Sequence, residues 1–519
     1  MIAERISLVT VGESVGGSWD GADVLAVAVA RPGDGDGPRP DAAALLAGER
    51  YGFDPAAVVA AEKVTGRAGE VVRVPVQAPG GLPRRVLLVG VGAGTPGDLR
   101  RAGAGLARAV RGRDLVLVSL ADGAGADAVR ALVEGVQLAG YTLPAVGTKS
   151  RDDSLAARRV VLLGRVPADA VEAGLVHAEA TVTARDLAAT PSDTKNPAWT
   201  AGRAAEAAER AGLRVQVWDE ADLARDGFGG LLAVGRGSAT PPRLVRLDYR
   251  PEAPAGAVGR RAGTAGPAGA AGPVGPVVLV GKGITFDTGG LSVKPRESMV
   301  PMKTDMTGAA VVLATLAACA RAGVRRPVTG LLALAENALG GASYRPGDVV
   351  RMYGGRTVEV SNTDAEGRMV LGDALAYADA VLDPDVVVDV ATLTGAATLG
   401  LGRRHAALFT DDDRLAGALA EAGSASGENV WRMPLVAEYR PVLDSPVADL
   451  RHVAGPGVGA GAVVAALFLR EFTGGRRWAH LDIAGTARAD KDEHEVTRGP
   501  TGFGARLLLH WLQSLTPSS

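Results

Sequence analysis

One cysteine, Cys319, occurs in the whole chain, which excludes an internal disulfide and any metal cluster built on cysteines. The histidines are His177, His405, His452, His480, His494 and His510, and no two stand at a metal-binding spacing such as H-x-x-x-H. His480 lies in the apolar segment "WAHLDIAG" and reads as a core residue. Charge of one sign is also lacking: the net charge of -2 offers neither nucleic acid nor an anionic membrane an electrostatic footprint. No apolar run reaches the roughly 18 to 20 residues that span a bilayer. The start shows no cationic segment followed by an apolar one, so no secretory signal is expected. No internal repeat is visible. These absences lead us to expect a soluble, cytoplasmic protein. A metal, if there is one, is expected on oxygen ligands, with or without an amine.

What is present begins with length. A chain of 519 residues exceeds what one core supports, so two or more domains are expected. Strand-like "DVLAVAVA" (23–30), "RRVLLVGVG" (84–92), "DLVLVSLA" (114–121) and "RRVVLLG" (158–164) alternate with helical patterns at 96–112 and 127–141. That alternation predicts a smaller N-terminal α/β domain, residues 1–165, with a mainly parallel sheet. The long helical pattern 171–190 stops at "PSDTKNP", and 166–192 reads as a connecting helix and linker. Residues 193–519 are expected to form a larger C-terminal α/β domain with a mixed central sheet flanked by helices. Within it, 251–276 is nearly all Gly, Ala, Pro and Arg and reads as a flexible surface insertion. "VGVGAGTPGDL" (89–99), with Asp122 after the next strand, resembles a dinucleotide-binding turn. Its spacing is G-x-G-x-G rather than G-x-G-x-x-G, and it reads as a structural turn.

Three stretches carry candidate chemistry. "SNTDAEGRMVLGDAL" (361–375) sets Asn362, Asp364, Glu366 and Arg368 at every second position. On an extended segment such side chains share a face, and two adjacent carboxylates repel unless a cation lies between them. Leu371, Leu375, Ala378 and Leu382 then follow a helical spacing, which predicts a helix starting near Glu366. "GKGITFDTGGLSVKP" (281–295) places Lys282 inside an apolar strand and Asp287 at its end. The structural explanation of that stretch is a Lys282–Asp287 ion pair, or a lysine reaching the surface. "MVPMKTDMTGAAVVLATLAA" (299–318) puts Asp305 where a helix begins, which a simple N-cap would explain. Together, Asp287, Asp305, Asp364 and Glu366 carry more negative charge than Lys282 neutralises. They also fall at strand ends or helix starts, where open α/β sheets place their sites. One or two divalent cations answer that imbalance.

At these residues the chain resembles the leucyl aminopeptidases, the cytosolic two-metal family M17. "NTDAEGR", "VGKGITFDTGGLSVKP", "KTDM", "ATLTGA" (391–396) and "WAHLDIAGTA" (478–487) follow that family's order. The resemblance is strong over roughly 170–515, and only architectural before that. It implies that Lys282, Asp287, Asp305, Asp364 and Glu366 ligate two divalent ions, Mn²⁺ or Zn²⁺, with Asp287 and Glu366 bridging. It implies Lys294 and Arg368 as the catalytic pair, and Lys294, Met302 and Asp305 as substrate contacts. Thr288 stands where serine is usual, and Arg488 where an aromatic is common.

The implied reaction is hydrolysis of the first peptide bond of peptides, preferentially after leucine or another apolar residue. Lys294 would stabilise the oxyanion, and a bicarbonate held by Arg368 would serve as proton shuttle. The resemblance further implies a homohexamer. Two other readings compete: a two-metal phosphoesterase, and a regulatory or DNA-binding protein on the same scaffold. The near-neutral chain shows no clear basic patch for either, so nucleic acid is not an expected partner.

Overall fold

The computed structural model describes residues 7–12, 14–31, 37–77, 83–144, 155–251, 276–455 and 457–515. The insertion expected at 251–276 lies outside them except for its two end residues. The chain divides into two compact units. One comprises Met1–Asp186, Ala425–Gly427 and Ala489–Thr501, the other Leu187–Ser424, Glu428–Arg488 and Gly502–Ser519.

In the first unit a mixed sheet runs in the order Leu8–Val11, Arg159–Leu162, Leu115–Val118, Val24–Ala30, Arg85–Gly92, Val71–Val74, with the short strand Arg39–Pro40 beside Val24–Ala30. Its pairings are parallel except those made by Val71–Val74 and Arg39–Pro40. The central strand VLAVAVA is apolar throughout because both of its faces are covered. Val24, Ala26 and Ala28 pack with residues of the helices Pro96–Ala109 and Ala126–Gly140, including Leu106 and Val133. Leu25, Val27 and Val29 pack on the other side with Ala44 and Ala47 of the helix Ala42–Tyr51. The period of two that places alternate side chains on opposite faces thus builds a three-layer domain.

The second unit holds a mixed eight-stranded sheet, ordered Val430–Met433, Ala406–Phe409, Arg477–Asp482, Val386–Ala391, Val277–Asp287, Val328–Asn337, Arg243–Tyr249, Arg214–Trp218. Its centre is parallel: Val277–Asp287 lies between Val328–Asn337 and Val386–Ala391, and the latter also pairs in parallel with Arg477–Asp482. These strands are buried along almost their whole length, which is why they read as continuous apolar runs. The helix Thr307–Ala318 packs on the sheet, as does Glu366–Tyr377 with Leu371 and Leu375 in the core. At Ala378–Leu382 that second helix widens into a π turn, so Ala378 is still buried while Leu382 only packs at the edge. All four parallel strands point their carboxyl ends the same way, and the polar residues Asp287, Asn337 and Asp482 terminate three of them.

Candidate metal centre

The strand Val277–Asp287 carries Lys282 and Asp287. The lysine is buried, and its Nζ donates to Asp305 Oδ1 at 2.9 Å and to the carbonyl of Thr392 at 2.9 Å. The same Nζ lies 2.9 Å from Glu366 Oε1. Asp287 pairs elsewhere: its Oδ2 is 2.8 Å from Lys294 Nζ, which also stands 2.5 Å from Asp364 Oδ1. Neither simple explanation of this stretch, a Lys282–Asp287 ion pair or a lysine reaching the surface, is what forms, because the strand ends in a reversal that brings Lys294 back over Asp287. That reversal uses Gly289 and Gly290 in the left-handed region, at φ 85° and 61°. A Cβ at Gly289 would lie 2.5 Å from the Ser292 carbonyl and 2.9 Å from Asp364 Oδ1, so glycine is needed for space as well as for φ. Thr288 keeps a working hydroxyl, donating to the Asn337 carbonyl at 2.9 Å.

Asp305 does not cap the following helix. It ends the short 3-10 helix Val300–Thr304, and the helix Thr307–Ala318 has Met306 at its N-cap. The Asp305 carboxylate turns inward to Lys282 and accepts from Thr392 Oγ1 at 2.7 Å. Met302 sits half-buried in that 3-10 helix, three residues before Asp305. The segment 361–365 is a turn rather than an extended strand, and Glu366 is the first residue of the helix Glu366–Tyr377. Asp364 and Glu366 are thus brought together by a turn entering a helix. Oxygens of Asp287, Asp364 and Glu366 lie within 4.8 Å of one another.

Burial raises the carboxyl pKa values here, and neighbouring carboxylates add to it. Glu366 is pushed up to about 8 by burial and then by Asp287, while the lysines pull it back. Asp305 rises to about 6 for the same reasons, and Asp364 rises as well. Burial alone would lower Lys282, but Asp305, Glu366 and Asp287 together hold it above the usual lysine range. Lys294 is raised likewise against its own burial, by Asp287 and Glu366. Arg368, four residues after Asp364, is buried and donates through Nη1 to the His452 carbonyl, and its Nε has no hydrogen-bond partner among the described residues. Burial brings its guanidinium down to about 10. His452 beside it is held neutral, at about 3, by burial and the Arg368 charge.

Several residues that complete this centre escaped the sequence reading. Asn337 Nδ2 donates to Asp287 Oδ1 at 2.8 Å and to the Thr363 carbonyl at 3.0 Å, tying the strand end to the Asp364 turn. Thr392 holds both Lys282 and Asp305. Asp482 fixes the next two residues, accepting from Leu393 N at 3.1 Å, Thr394 N at 3.1 Å and Thr394 Oγ1 at 2.7 Å. Tyr344 donates its hydroxyl to the Thr363 carbonyl at 2.8 Å. Thr392 and Asp482 fall in the "ATLTGA" and "WAHLDIAGTA" segments, which was the signal available for them. His480 is a core residue, fully buried with Nδ1 2.5 Å from Asp389 Oδ1. No helix among the described residues is long and apolar enough to cross a membrane.

Residues 182–509 match the catalytic domain of the cytosol aminopeptidase family, and residues 27–150 match that family's N-terminal domain. The chain is 42% identical to a probable cytosol aminopeptidase of Streptomyces avermitilis, covering 94% of this chain and 95% of the relative. A probable cytosol aminopeptidase of Geobacter sulfurreducens is 40% identical, over 88% of this chain and 90% of its own length. Among solved structures, the bottromycin maturation enzyme BotP in complex with Mn superposes with a TM-score of 0.80 at 39% identity, covering 95% of this chain and 99% of BotP. With both of its domains matched, and with relatives of this identity along nearly its full length, the chain belongs to the cytosol aminopeptidase family.

Proposed function

We propose that this protein is a cytoplasmic two-metal aminopeptidase that removes leucine and other apolar residues from the N-terminus of peptides. The observation that carries this is the meeting of Asp287, Asp364 and Glu366 within 4.8 Å, beside the buried amine of Lys282. Asp287, Asp305, Asp364 and Glu366 would hold two divalent ions, with Lys282 joining them as a neutral amine, its proton given up on metal binding. The donor set fits such ions: carboxylate oxygens suit hard or borderline divalent cations, and Glu366 Oε2 is buried without a hydrogen-bond partner among the described residues. Manganese is favoured over zinc by the Mn complex of BotP. When bound, the ions would polarise the scissile carbonyl and acidify a water for attack near neutral pH.

The chain's own residues would supply the rest. Lys294, on the reversal after Gly290, reaches the carboxylate cluster and would stabilise the developing oxyanion through Nζ. Arg368 would hold a bicarbonate, which supplies a general base, and its unpartnered Nε supports that assignment. Met302 would border the substrate's first side chain, and Asp305 would help receive its α-amino group. The homohexamer that the family resemblance implies is part of this proposal, and light scattering tests it: a monomer mass at micromolar concentration overturns that assembly.

Hydrolysis of leucine p-nitroanilide tests the function itself. Chelator-treated protein is expected to be inactive and to recover with Mn²⁺. Turnover of a phosphodiester instead, or retention of a DNA duplex without peptidase activity, would overturn the assignment.

A further inference from the structure

We propose that the N-terminal unit carries a second ligand site, an arginine-lined cavity that binds a small anion bearing two or more phosphates. The cavity measures about 730 Å³, within the usual range of small-molecule pockets. Four arginines, Arg31, Arg67, Arg101 and Arg108, line it against two carboxylates, Glu70 and Asp98. All of these belong to the Met1–Asp186 unit.

The charges are not matched among themselves. Asp98 is held by its own turn, accepting from Thr95 Oγ1 at 2.8 Å and Ala93 N at 3.2 Å. Glu70 accepts from Thr65 N and Thr65 Oγ1, each at 2.9 Å. Arg108 is anchored, donating to the Val496 carbonyl at 3.1 Å with Asp492 3.9 Å away. Arg31, Arg67 and Arg101 make no ion pair or side-chain hydrogen bond among the described residues. Arg101 and Arg108 stand seven residues apart on the helix Pro96–Ala109, two turns along one face. Arg31 follows the strand Val24–Ala30. Three elements therefore bring guanidinium groups that are unpaired among the described residues to one concavity, and like charges so placed repel until a counter-charge joins them.

The floor is backbone. Gly69 and Gly105 both line it where their backbones touch, since a Cβ at Gly105 would lie 2.4 Å from the Gly69 carbonyl oxygen. Guanidinium groups pair with phosphate oxygens through two parallel hydrogen bonds, and the volume admits more than one phosphate. The glycine turn at 90–94 borders this cavity through Gly92 and Ala93. It does not act as a dinucleotide loop, because Asp98 already occupies the Ala93 N–H. Recognition falls to the arginines. The bland alternative is a set of solvated arginines on an Arg-rich chain, and it predicts no saturable binding.

Calorimetric titration of the metal-loaded, full-length protein with tripolyphosphate, ATP and sulfate at about 0.15 M salt decides between them. Because phosphates also approach metal ions, the same titrations are run on Arg67→Gln/Arg101→Gln, which leaves the metal centre untouched. The expected result is saturable binding of tripolyphosphate or ATP, weakened at least about tenfold in the variant, with sulfate much weaker. ATP binding tighter than tripolyphosphate identifies a nucleotide, and equal affinity identifies the phosphate chain alone; both support the site. Melting temperature and peptidase activity of the ligand-free variant should match the parent. If the double variant does not fold, Arg31→Gln carries the same expectation. Absence of saturable binding below about 1 mM, equal binding in parent and variant, sulfate binding as tightly as tripolyphosphate, or retention of a DNA duplex without the small anions overturns the proposal.

Discussion

The Lys282 ammonium stands 2.9 Å from Asp305 Oδ2 and 2.9 Å from Glu366 Oε1, so one buried cation joins the helix start at Glu366 to the residue closing the 3-10 helix. Removing one partner of a buried ion pair leaves uncompensated charge and costs about 3–5 kcal/mol. Lys282→Met should therefore lower the melting temperature of chelator-treated protein by on the order of 5 °C or more, and should abolish turnover. Calorimetry and a peptidase assay on the same preparation check both. An unchanged melting temperature would show that the pair contributes nothing.

Gly367 reports how tightly that helix covers Lys282. A Cβ there would lie 2.5 Å from Lys282 Cε and 2.8 Å from its Nζ. Gly→Ala inside a helix ordinarily stabilises by about 1 kcal/mol. Here the methyl must displace a lysine that Asp305, Glu366 and Thr392 hold in place. Gly367→Ala is expected to lose activity by at least about tenfold, an effect of 1.4 kcal/mol on the barrier. Gly202→Ala, in the exposed face of Pro197–Ala211 with nothing near its Cβ, should raise the melting temperature and keep full activity. Equal behaviour of the two variants would contradict this packing argument.

Lys294 and Arg368 should separate chemistry from metal binding. Loss of one oxyanion donor costs about 10²–10³ in kcat, and loss of a general base about 10²–10⁴. Lys294→Ala and Arg368→Ala are expected to fall in those ranges with bound metal retained. Elemental analysis beside steady-state kinetics reads both, and metal lost together with activity would make these residues structural supports instead.

The buried His480–Asp389 pair gives a pH dependence. Burial and, less, Arg368 push the imidazole pKa down, while the Asp389 carboxylate, helped by Asp482, raises it, and the net result is a folded value above the usual histidine one. The folded state holds this proton more tightly than the unfolded chain does. The stabilisation is therefore fully present below about pH 6.5 and is lost as pH rises through the folded pKa. The melting-temperature gap between the parent and His480→Gln should be larger at about pH 6 than at about pH 9. A gap that is constant or grows with pH would contradict it.

The sequence made the strand–helix alternation and the acidic cluster legible, because buried strands and isolated charges stand out from their surroundings. Lys282 inside an apolar run and Asp287 at its end were visible for that reason. Which lysine meets which carboxylate was not, since the Gly289–Gly290 reversal sets it and its direction is tertiary. The period of two in "NTDAEGR" suggested an extended face, whereas side-chain bonds such as Asn362 Oδ1 to Asp364 N, 2.9 Å, close a turn there. Asn337, Thr392 and Asp482 stayed hidden because they are common residue types acting through partners 26 to 110 positions away.

The central claim is that the carboxylates around Lys282 hold the metal on which turnover depends. Counting metal per chain by elemental analysis, with leucine p-nitroanilide turnover on the same samples, tests it for the parent, Asp364→Ala and Glu366→Ala. Two divalent ions in the active parent are predicted, with at least one lost and activity abolished in each variant. Full turnover in metal-free protein, or variants that keep both ions and activity, would contradict it.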